Sequence, residues 1–321
     1  MKRALITGGT GFVGANLARR LVRDGHEVHL LVRQGHKTWR IEEIRDSLRL
    51  HVVDLLDEES VARLVKSIRP EWVFHLATHG AYSYQTDRAQ IIRTNFIATV
   101  NLINACLKTG FEAFVNTGTS SEYGFKDHAP AENEYLEPNS YYAVAKASAT
   151  LFARFTAQSL KAHIPTLRLY SVYGPFEEPG RLIPTLIVRG LAGELPFLVD
   201  PSIARDYVFV DDVTEAFLLA ASQPNQEPGA IYNVGTGAQT TLSEVVAIAR
   251  RLMNIPAQPQ WGSMPNRSWD TSVWVADNRK IRTTLGWQPK HSFEQGLRAT
   301  IEWFQSCPSI QSVYSDSPRS S

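Results

Sequence analysis

Residues 4–14 read ALITGGTGFVG, a short β-favouring run followed by Gly8, Gly11 and Gly14 and then the helix-patterned segment GANLARRLVRDG. A strand that turns through glycines into a helix is the opening βα unit of a parallel sheet. Glycines at such a turn let the backbone approach a pyrophosphate seated at the positive end of the helix. A bare strand-to-helix turn has the same glycines, and the placement of the motif directly after the first strand favours binding.

The pattern repeats outward from there. EVHLLV (27–32), LRLHVVD (48–54), WVFHLA (72–77) and AFVNTG (113–118) are short apolar runs, separated by helical-period segments such as EESVARLVKSI (58–68) and IIRTNFIATVNLINACLKTG (91–110). This alternation predicts an α/β protein with a doubly wound parallel sheet. It becomes irregular after about residue 175. The expected division is a dinucleotide-binding domain mainly at 1–175, a smaller substrate-binding α/β domain mainly at 176–306 with segments returning to the first, and a loose Ser- and Pro-rich tail at 307–321. Residues 96–107 and 141–160 lack a conventional polar face. Helices apolar nearly all round are buried between layers or against another subunit, so a homodimer is expected, with internal burial as the alternative.

The 33 Lys and Arg nearly cancel the 32 Asp and Glu, for a formal charge of +1, which gives no footing for a nucleic-acid or membrane-surface partner. No run approaches the ~18 apolar residues of a membrane span, and MKRALITGG does not read as a signal peptide. Cys106 and Cys307 are far apart and lack metal-site spacing. A reduced, cytoplasmic, metal-free enzyme with both thiols packed as small apolar groups is expected.

The second strand of an NAD site usually ends in an acid that binds the adenosine ribose. Here it ends LLVRQ, and Arg33 stands in that place. A guanidinium suits a 2′-phosphate, which favours NADP, with NAD as the alternative and a solvent-facing arginine as the plain reading. Arg40 is a candidate second phosphate contact. Asp54, in VVDL, could accept from the adenine amino group or simply hold a turn.

Further on, SYYAVAKASA places Tyr142 and Lys146 four residues apart, on one helical face. The ammonium can lower the phenol's pKa, and a tyrosinate can take a proton from, or return it to, a sugar hydroxyl during hydride transfer. Tyr141 has only Ala145 at the equivalent spacing.

GGTGFVG, the Tyr142–Lys146 pair and RDYVFVDDV (205–213) together resemble the extended short-chain dehydrogenase/reductase family, in its nucleotide-sugar epimerase/dehydratase/reductase branch, over about residues 3–306. The resemblance implies a Rossmann-type sheet and a third catalytic residue, Thr119, four positions before the tyrosine of the YG pair in TSSEYG. It implies a cofactor site of Gly8, Gly11, Phe12, Val13, Gly14, Arg33, Asp54, Leu55, Leu76, Ala77, Asn95, Tyr142, Lys146, Tyr170 and Val172, with Tyr173 a further candidate beside the nicotinamide. It also implies a nucleotide diphosphate sugar site of His79, Tyr84, Ser120, Ser121, Ser171, Arg181, Arg205 and Arg267. Ser171 stands where relatives often have a substrate-binding Asn.

Dehydratases of this branch carry an Asp-Glu pair directly after the Thr, and members that epimerise at carbons 3 and 5 carry a Cys at the position of Ser121. This chain has Ser120 and Ser121, which disfavours both reactions. Glu122 is one residue out of step and should point to the opposite face. What remains is redox chemistry at one carbinol. The leading expectation is 4-ketoreduction of an NDP-4-keto-6-deoxyhexose with NADPH, because of Arg33. The alternative is an NDP-sugar 4-epimerase with retained NAD(P). A non-catalytic cofactor binder is the minor alternative, opposed by the intact Thr119, Tyr142 and Lys146.

Overall fold

The computed structural model describes residues 1–82, 84–223, 227–266 and 271–315. The opening run forms β1 (Arg3–Thr7), whose Ala4, Leu5 and Ile6 are fully buried, as a central parallel strand requires. It is followed by α1 (Phe12–Arg23), β2 (Glu27–Val32), β3 (Leu48–Val52), α2 (Glu58–Ile68), β4 (Trp72–His75), α3 (Arg88–Ile92), α4 (Ala98–Thr109), β5 (Ala113–Thr119), α5 (Tyr141–Leu160) and β6 (Thr166–Leu169). The later elements are β7 (Ser171–Tyr173), α6 (Leu182–Leu191), β8 (Ala204–Arg205), β9 (Tyr207–Phe209), α7 (Val210–Ser222), β10 (Ile231–Val234), β11 (Thr240–Thr241), α8 (Leu242–Met253), α9 (Arg279–Leu285), α10 (Phe293–Ser306) and α11 (Pro308–Ser315).

Seven strands make one parallel sheet in the order β10-β6-β5-β4-β1-β2-β3. The direction of winding reverses between β1 and β4, where the connections leave to opposite sides and open a crevice at the carboxyl ends of the strands. Register aligns the groups that border it: Thr7 pairs with His75, His75 with Asn116, and Thr119 with Leu169. One face of the sheet is covered by α1 and α7 through Leu17, Leu21, Val213 and Phe217. The other is covered by α2, α4 and α5 through Val61, Val65, Leu102, Ile103, Ala153 and Ala157. Cys106 is fully buried there, and burial pushes its thiol far above the ordinary range.

Beyond β7 the chain alternates between two tasks. α7 and β10 complete the large sheet and its cover, while α6, α8, α10 and α11 enclose a separate apolar cluster around Leu186, Val245, Leu297 and Phe304. The loose tail expected from 307 onward needs correction as far as Ser315, because Pro308–Ser315 form α11. Ile310, Val313 and Tyr314 recur at helical spacing and join that cluster. The Tyr314 hydroxyl donates to the Glu177 carbonyl at 2.6 Å, and its ring meets Trp39 and Phe304 edge-on. The Ser-rich composition hid this three-residue apolar stripe. Among the described residues no helix is long and apolar enough to cross a membrane.

Candidate active site

The glycine turn is a cradle that side chains would fill. Gly8 has φ +71°, and a Cβ there would lie 2.6 Å from the Ala77 nitrogen; one on Gly14 would collide with the Gly8 carbonyl. Gly11 closes the turn by donating to that carbonyl at 3.0 Å. α1 starts directly after it with no side-chain cap and no acid in its first turn. The amides of Phe12 and Val13 therefore face the crevice without a competing anion. Leu76 and Ala77 form the wall opposite, with the Ala77 amide held by Thr7 Oγ1 at 3.3 Å. These features fit a dinucleotide.

At the adenosine end, Arg33 follows β2, is exposed, and pairs with no carboxylate among the described residues. Arg40 requires a correction. It is buried, its Nε donates to the Phe176 carbonyl at 2.8 Å, and Nη2 pairs with Glu178 at 2.6 Å, so its guanidinium ties two loops together. Asp54 Oδ1 accepts the Leu56 amide at 2.9 Å, a turn role, and the Leu55 carbonyl accepts from Asn101 at 3.2 Å.

Asn95 also differs from expectation. It sits fully buried in a π-helical turn, residues 93–97, between α3 and α4. Nδ2 donates to the carbonyls of His79 (2.6 Å) and Ile91 (2.9 Å), while Oδ1 accepts from the His79 amide (3.1 Å) and the Thr78 hydroxyl (2.8 Å). Both donors and both acceptor positions of the amide are used, leaving none for a cofactor. Asn95 fixes the loop after β4 and delivers Thr78, a residue the sequence reading passed over.

Thr119 ends β5. Its Oγ1 accepts the Ser121 amide at 3.2 Å, and Glu122 reaches back to the Thr119 amide at 2.9 Å, a capping box on the 3-10 turn Ser120–Tyr123. α5 is capped by Ser140, which accepts the Ala143 amide at 3.1 Å. That cap sets Tyr142 in the first turn and Lys146 one turn later, so the structure brings the three predicted residues together. The phenol of Tyr142 is raised above its ordinary value by burial, against a smaller lowering by the hydroxyls of Thr119 and Thr78. Sequence spacing alone suggested a lowered phenol; desolvation outweighs that in the protein by itself. Burial also pushes the Lys146 ammonium down to about 8, opposed by the charge of Glu122. Nearby, His75 is held neutral by burial at about 3, between Thr7 Oγ1 at 2.7 Å and Thr99 Oγ1 at 2.9 Å.

Glu122 points away from the crevice as expected, although it lies in the 3-10 turn and not on a strand. It is fully buried, and its carboxylate accepts from Arg168 Nε at 2.8 Å and Thr150 Oγ1 at 3.0 Å. Arg168 continues to the Tyr123 hydroxyl at 2.7 Å, and that hydroxyl to Asn233 at 2.8 Å. The hydroxyls of Ser120 and Ser121 are left as the polar groups beside Thr119. Ser120 Oγ accepts from Trp274 Nε1 at 3.1 Å, a contact the sequence reading missed; its only signal was an isolated aromatic in TSVWVAD.

On the substrate side, the Arg205 guanidinium lies over the Trp274 ring at 5.4 Å and donates to the Ala204 carbonyl at 2.8 Å. Both segments are anchored by Asp206, fully buried, which accepts from Thr236 N (2.7 Å), Gly237 N (2.9 Å) and Ala276 N (3.0 Å). A small open cleft is lined by Ser120, Lys126, His128, Tyr170 and Trp274 among others. Tyr170, expected beside the nicotinamide, is one of the residues lining this cleft. Val172 packs partly against the main core. Tyr173 is core, its hydroxyl donating to the Phe293 carbonyl at 3.0 Å, which leaves it no place beside a cofactor. Ser171 is half-buried in β7. His79 is half-buried and its imidazole is depressed by burial and by the Arg33 charge. Tyr84 stacks on Tyr82 at 5.5 Å, and Arg181 lies over Tyr82 at 5.4 Å, so Tyr82 joins two predicted residues. Arg267 lies outside the described residues.

The sequence profile of the NAD dependent epimerase/dehydratase family matches residues 4–235. The chain belongs to this family. It is an enzyme of the extended short-chain dehydrogenase/reductase type, in the nucleotide-sugar epimerase/dehydratase branch. UDP-glucose 4-epimerase of Mycolicibacterium smegmatis is 30% identical over 315 residues, covering 94% of this chain and 98% of that protein. The crystal structure of Thermotoga maritima UDP-glucose 4-epimerase with UDP-glucose superposes with a TM-score of 0.86 at 29% identity, covering 95% of this chain and 99% of the other. Thermus thermophilus UDP-glucose 4-epimerase in complex with NAD gives 0.84 at 30% identity, covering 94% and 99%.

Proposed function

We propose that this enzyme transfers hydride at C4 of a nucleotide diphosphate hexose. The observation that carries the reading is the split at the end of β5: Thr119, Ser120 and Ser121 offer hydroxyls there, while the carboxylate that follows them, Glu122, is turned onto Arg168. Elimination of water and exchange at carbons 3 and 5 need an acid or thiol that this stretch does not offer.

A bound nicotinamide supplies the hydride acceptor and donor. Gly8, Gly11 and Gly14 with the Phe12 and Val13 amides would hold its pyrophosphate, and Lys146 its ribose hydroxyls. Thr119 hydrogen-bonds the sugar O4, and Tyr142 takes or returns the O4 proton, its phenolate steadied by the Lys146 charge. Arg205, with Arg267, is assigned to the diphosphate; His79, Tyr84, Ser120, Ser121, Ser171 and Arg181 border the sugar.

Net 4-epimerisation is the first reading, supported by full-length similarity to three proteins named UDP-glucose 4-epimerase. This reverses the order suggested by Arg33 alone. Arg33 supports the second reading, 4-ketoreduction of an NDP-4-keto-6-deoxyhexose with NADPH, since an exposed guanidinium at that position suits a 2′-phosphate. The decisive experiment is to release and identify any nicotinamide that survives purification, then to incubate the protein with matched hexose and 4-keto-hexose nucleotides. Retained cofactor and a C4-inverted product with no net nicotinamide consumption support epimerisation; stoichiometric NADPH oxidation with the keto sugar replaces it with ketoreduction.

The same proposal includes a cytoplasmic homodimer. α5 exposes Val144, Leu151 and Phe155, and the adjoining helical segments expose Ile92 and Ile97. A second copy of this face would cover them.

A further inference from the structure

We infer that His75 is a positioning residue of the proposed reaction: held as its Nε2–H tautomer, it ties the wall of the dinucleotide cradle to the wall of the sugar pocket. It thereby sets cofactor and sugar against each other. The consequence rests on the proposed hydride transfer, and the geometry on a chain of four hydrogen bonds.

His75 ends β4 and Thr7 ends β1, register partners at the point where the winding reverses. Thr7, His75, Asn95 and Thr99 are fully buried, so their polar atoms need partners from the protein. Thr99 Oγ1 donates to the Asn95 carbonyl at 2.8 Å, which spends its one proton. The bond of 2.9 Å between Thr99 and His75 therefore carries the proton of His75 Nε2. Burial and the Lys146 charge keep the ring neutral, at about 3. Nδ1 is then a bare acceptor and takes the Thr7 proton at 2.7 Å. Thr7 Oγ1 in turn accepts the Ala77 amide at 3.3 Å. The opposite tautomer would leave the Thr7 proton with no acceptor among the described residues.

The two ends of this relay fall on different walls of the crevice. At one end the Leu76–Ala77 peptide lies against the glycine turn, where a Cβ on Gly8 would come within 2.6 Å of the Ala77 nitrogen and the Leu76 carbonyl carbon. At the other, Asn95 grips the backbone of His79, accepting its amide at 3.1 Å and donating to its carbonyl at 2.6 Å. Residues 76–79 thus form one short run that borders the cofactor at its start and the sugar at its end, and His75 joins the two anchors. Donation runs in one direction throughout, from the Ala77 amide to the Asn95 carbonyl, so each bond polarises the next. A misplacement of ~1 Å between reacting groups can cost about 10²-fold in rate. The relay should therefore act on alignment rather than on affinity.

The first test reads the tautomer in the full chain without ligand. Protein labelled with 15N-histidine is followed by long-range 1H–15N correlation, the ring being assigned through its NOEs to the Thr7 and Thr99 methyl groups. A neutral ring protonated on Nε2 that does not titrate between about pH 5 and pH 8 is expected; a proton on Nδ1, or titration in that range, overturns the inference. The second test cuts the relay at its far end. Thr99→Val keeps the side-chain shape and removes a hydroxyl that makes no hydrogen bond to the Ala77 peptide. Hydrogen exchange at the Ala77 amide should nevertheless quicken about tenfold. Thr109→Val breaks the same kind of bond on the same helix, Thr109 Oγ1 to the Ala105 carbonyl at 3.2 Å, and should leave that amide unchanged. Equal exchange in wild type and Thr99→Val removes the relay. With substrate, kcat per folded molecule should fall about tenfold in Thr99→Val while KM and the cofactor Kd stay within about twofold, and Thr99→Ser should restore it. Wild-type kcat in Thr99→Val also overturns the inference. Neither NMR reading needs turnover: if both come out as expected in a protein that turns over no hexose nucleotide, the relay stands and the proposed function falls.

Discussion

The rim of the crevice and the floor beneath it use similar residues to opposite ends. On the rim, Ser121, Tyr142 and Arg33 are only partly enclosed or exposed, and Arg33 has no carboxylate partner among the described residues. In the floor, Glu122 and Arg168 form an ion pair at 2.8 Å with almost no exposure, and Arg40 is locked to Glu178. An arginine seven residues from Arg33 and an acid one residue from Ser121 are therefore structural. The difference teaches that partner saturation, more than residue type, separates groups that can act on a ligand from groups that hold the site in shape.

The largest effect that sharpens this contrast belongs to the rim. Tyr142→Phe should lower turnover by about 10²- to 10⁴-fold while cofactor binding, read by fluorescence quenching, stays near wild type; substantial residual turnover would remove Tyr142 from its role. Next comes the floor. Glu122→Ala leaves the buried Arg168 guanidinium uncompensated and should cost about 3–5 kcal/mol in urea unfolding. Ser121→Ala should change stability by about 0.5 kcal/mol or less and act on substrate kinetics instead. Equal destabilisation by the two would erase the distinction between rim and floor.

The sheet, and the placing of Tyr142 and Lys146 one turn apart on a helix, were legible in the sequence because both follow local patterns. Alternating apolar runs fix strands and helices, and helical spacing puts Tyr142 and Lys146 on one face. Glu122 turned to the side expected of it, but through the 3-10 turn Ser120–Tyr123 and its capping box, not through parity along a strand. Other roles depended on tertiary partners. Arg40 reads as a phosphate ligand until Glu178, far along the chain, is seen to claim it. Asn95 reads as a cofactor contact until its amide is found saturated by the loop at 78–79. Thr78, Tyr82 and Trp274 had no motif to announce them, since each matters through a neighbour distant in sequence. α11 was missed because composition averaged out a three-residue apolar stripe.

Lys146 belongs to rim and floor at once, and pH should separate the two. Burial lowers its ammonium from 10.5 to about 8, so between those values the unfolded chain binds a proton that the folded protein has released. Stability from this group should rise as pH increases through that window, and the penalty of burying the charge should be full below it. Activity should move the other way, because the charge that steadies the Tyr142 phenolate and holds ribose disappears above about pH 8. Urea unfolding across the window should show the slope in wild type and its loss in Lys146→Met. An unchanged slope in the variant would mean that another group carries it.

The smallest expected effect falls on the two arginines. Arg33→Glu should reduce the preference for NADPH over NADH by about tenfold or more, since it exchanges a charge-assisted partner of a 2′-phosphate for a repelling one. Being exposed, it should leave stability within about 0.5 kcal/mol. Arg40→Met should do the reverse: it strips hydrogen bonds from the Phe176 carbonyl and Glu178, lowering stability by about 1–3 kcal/mol without altering the cofactor ratio. Isothermal titration with both nucleotides, beside thermal unfolding, reads both quantities on each variant. If Arg33→Glu leaves the ratio unchanged, NADP loses its structural support and retained NAD with 4-epimerisation gains by it. If Arg40→Met shifts the ratio, the Glu178 pair opens when cofactor binds, and the boundary between rim and floor moves with the ligand at that loop.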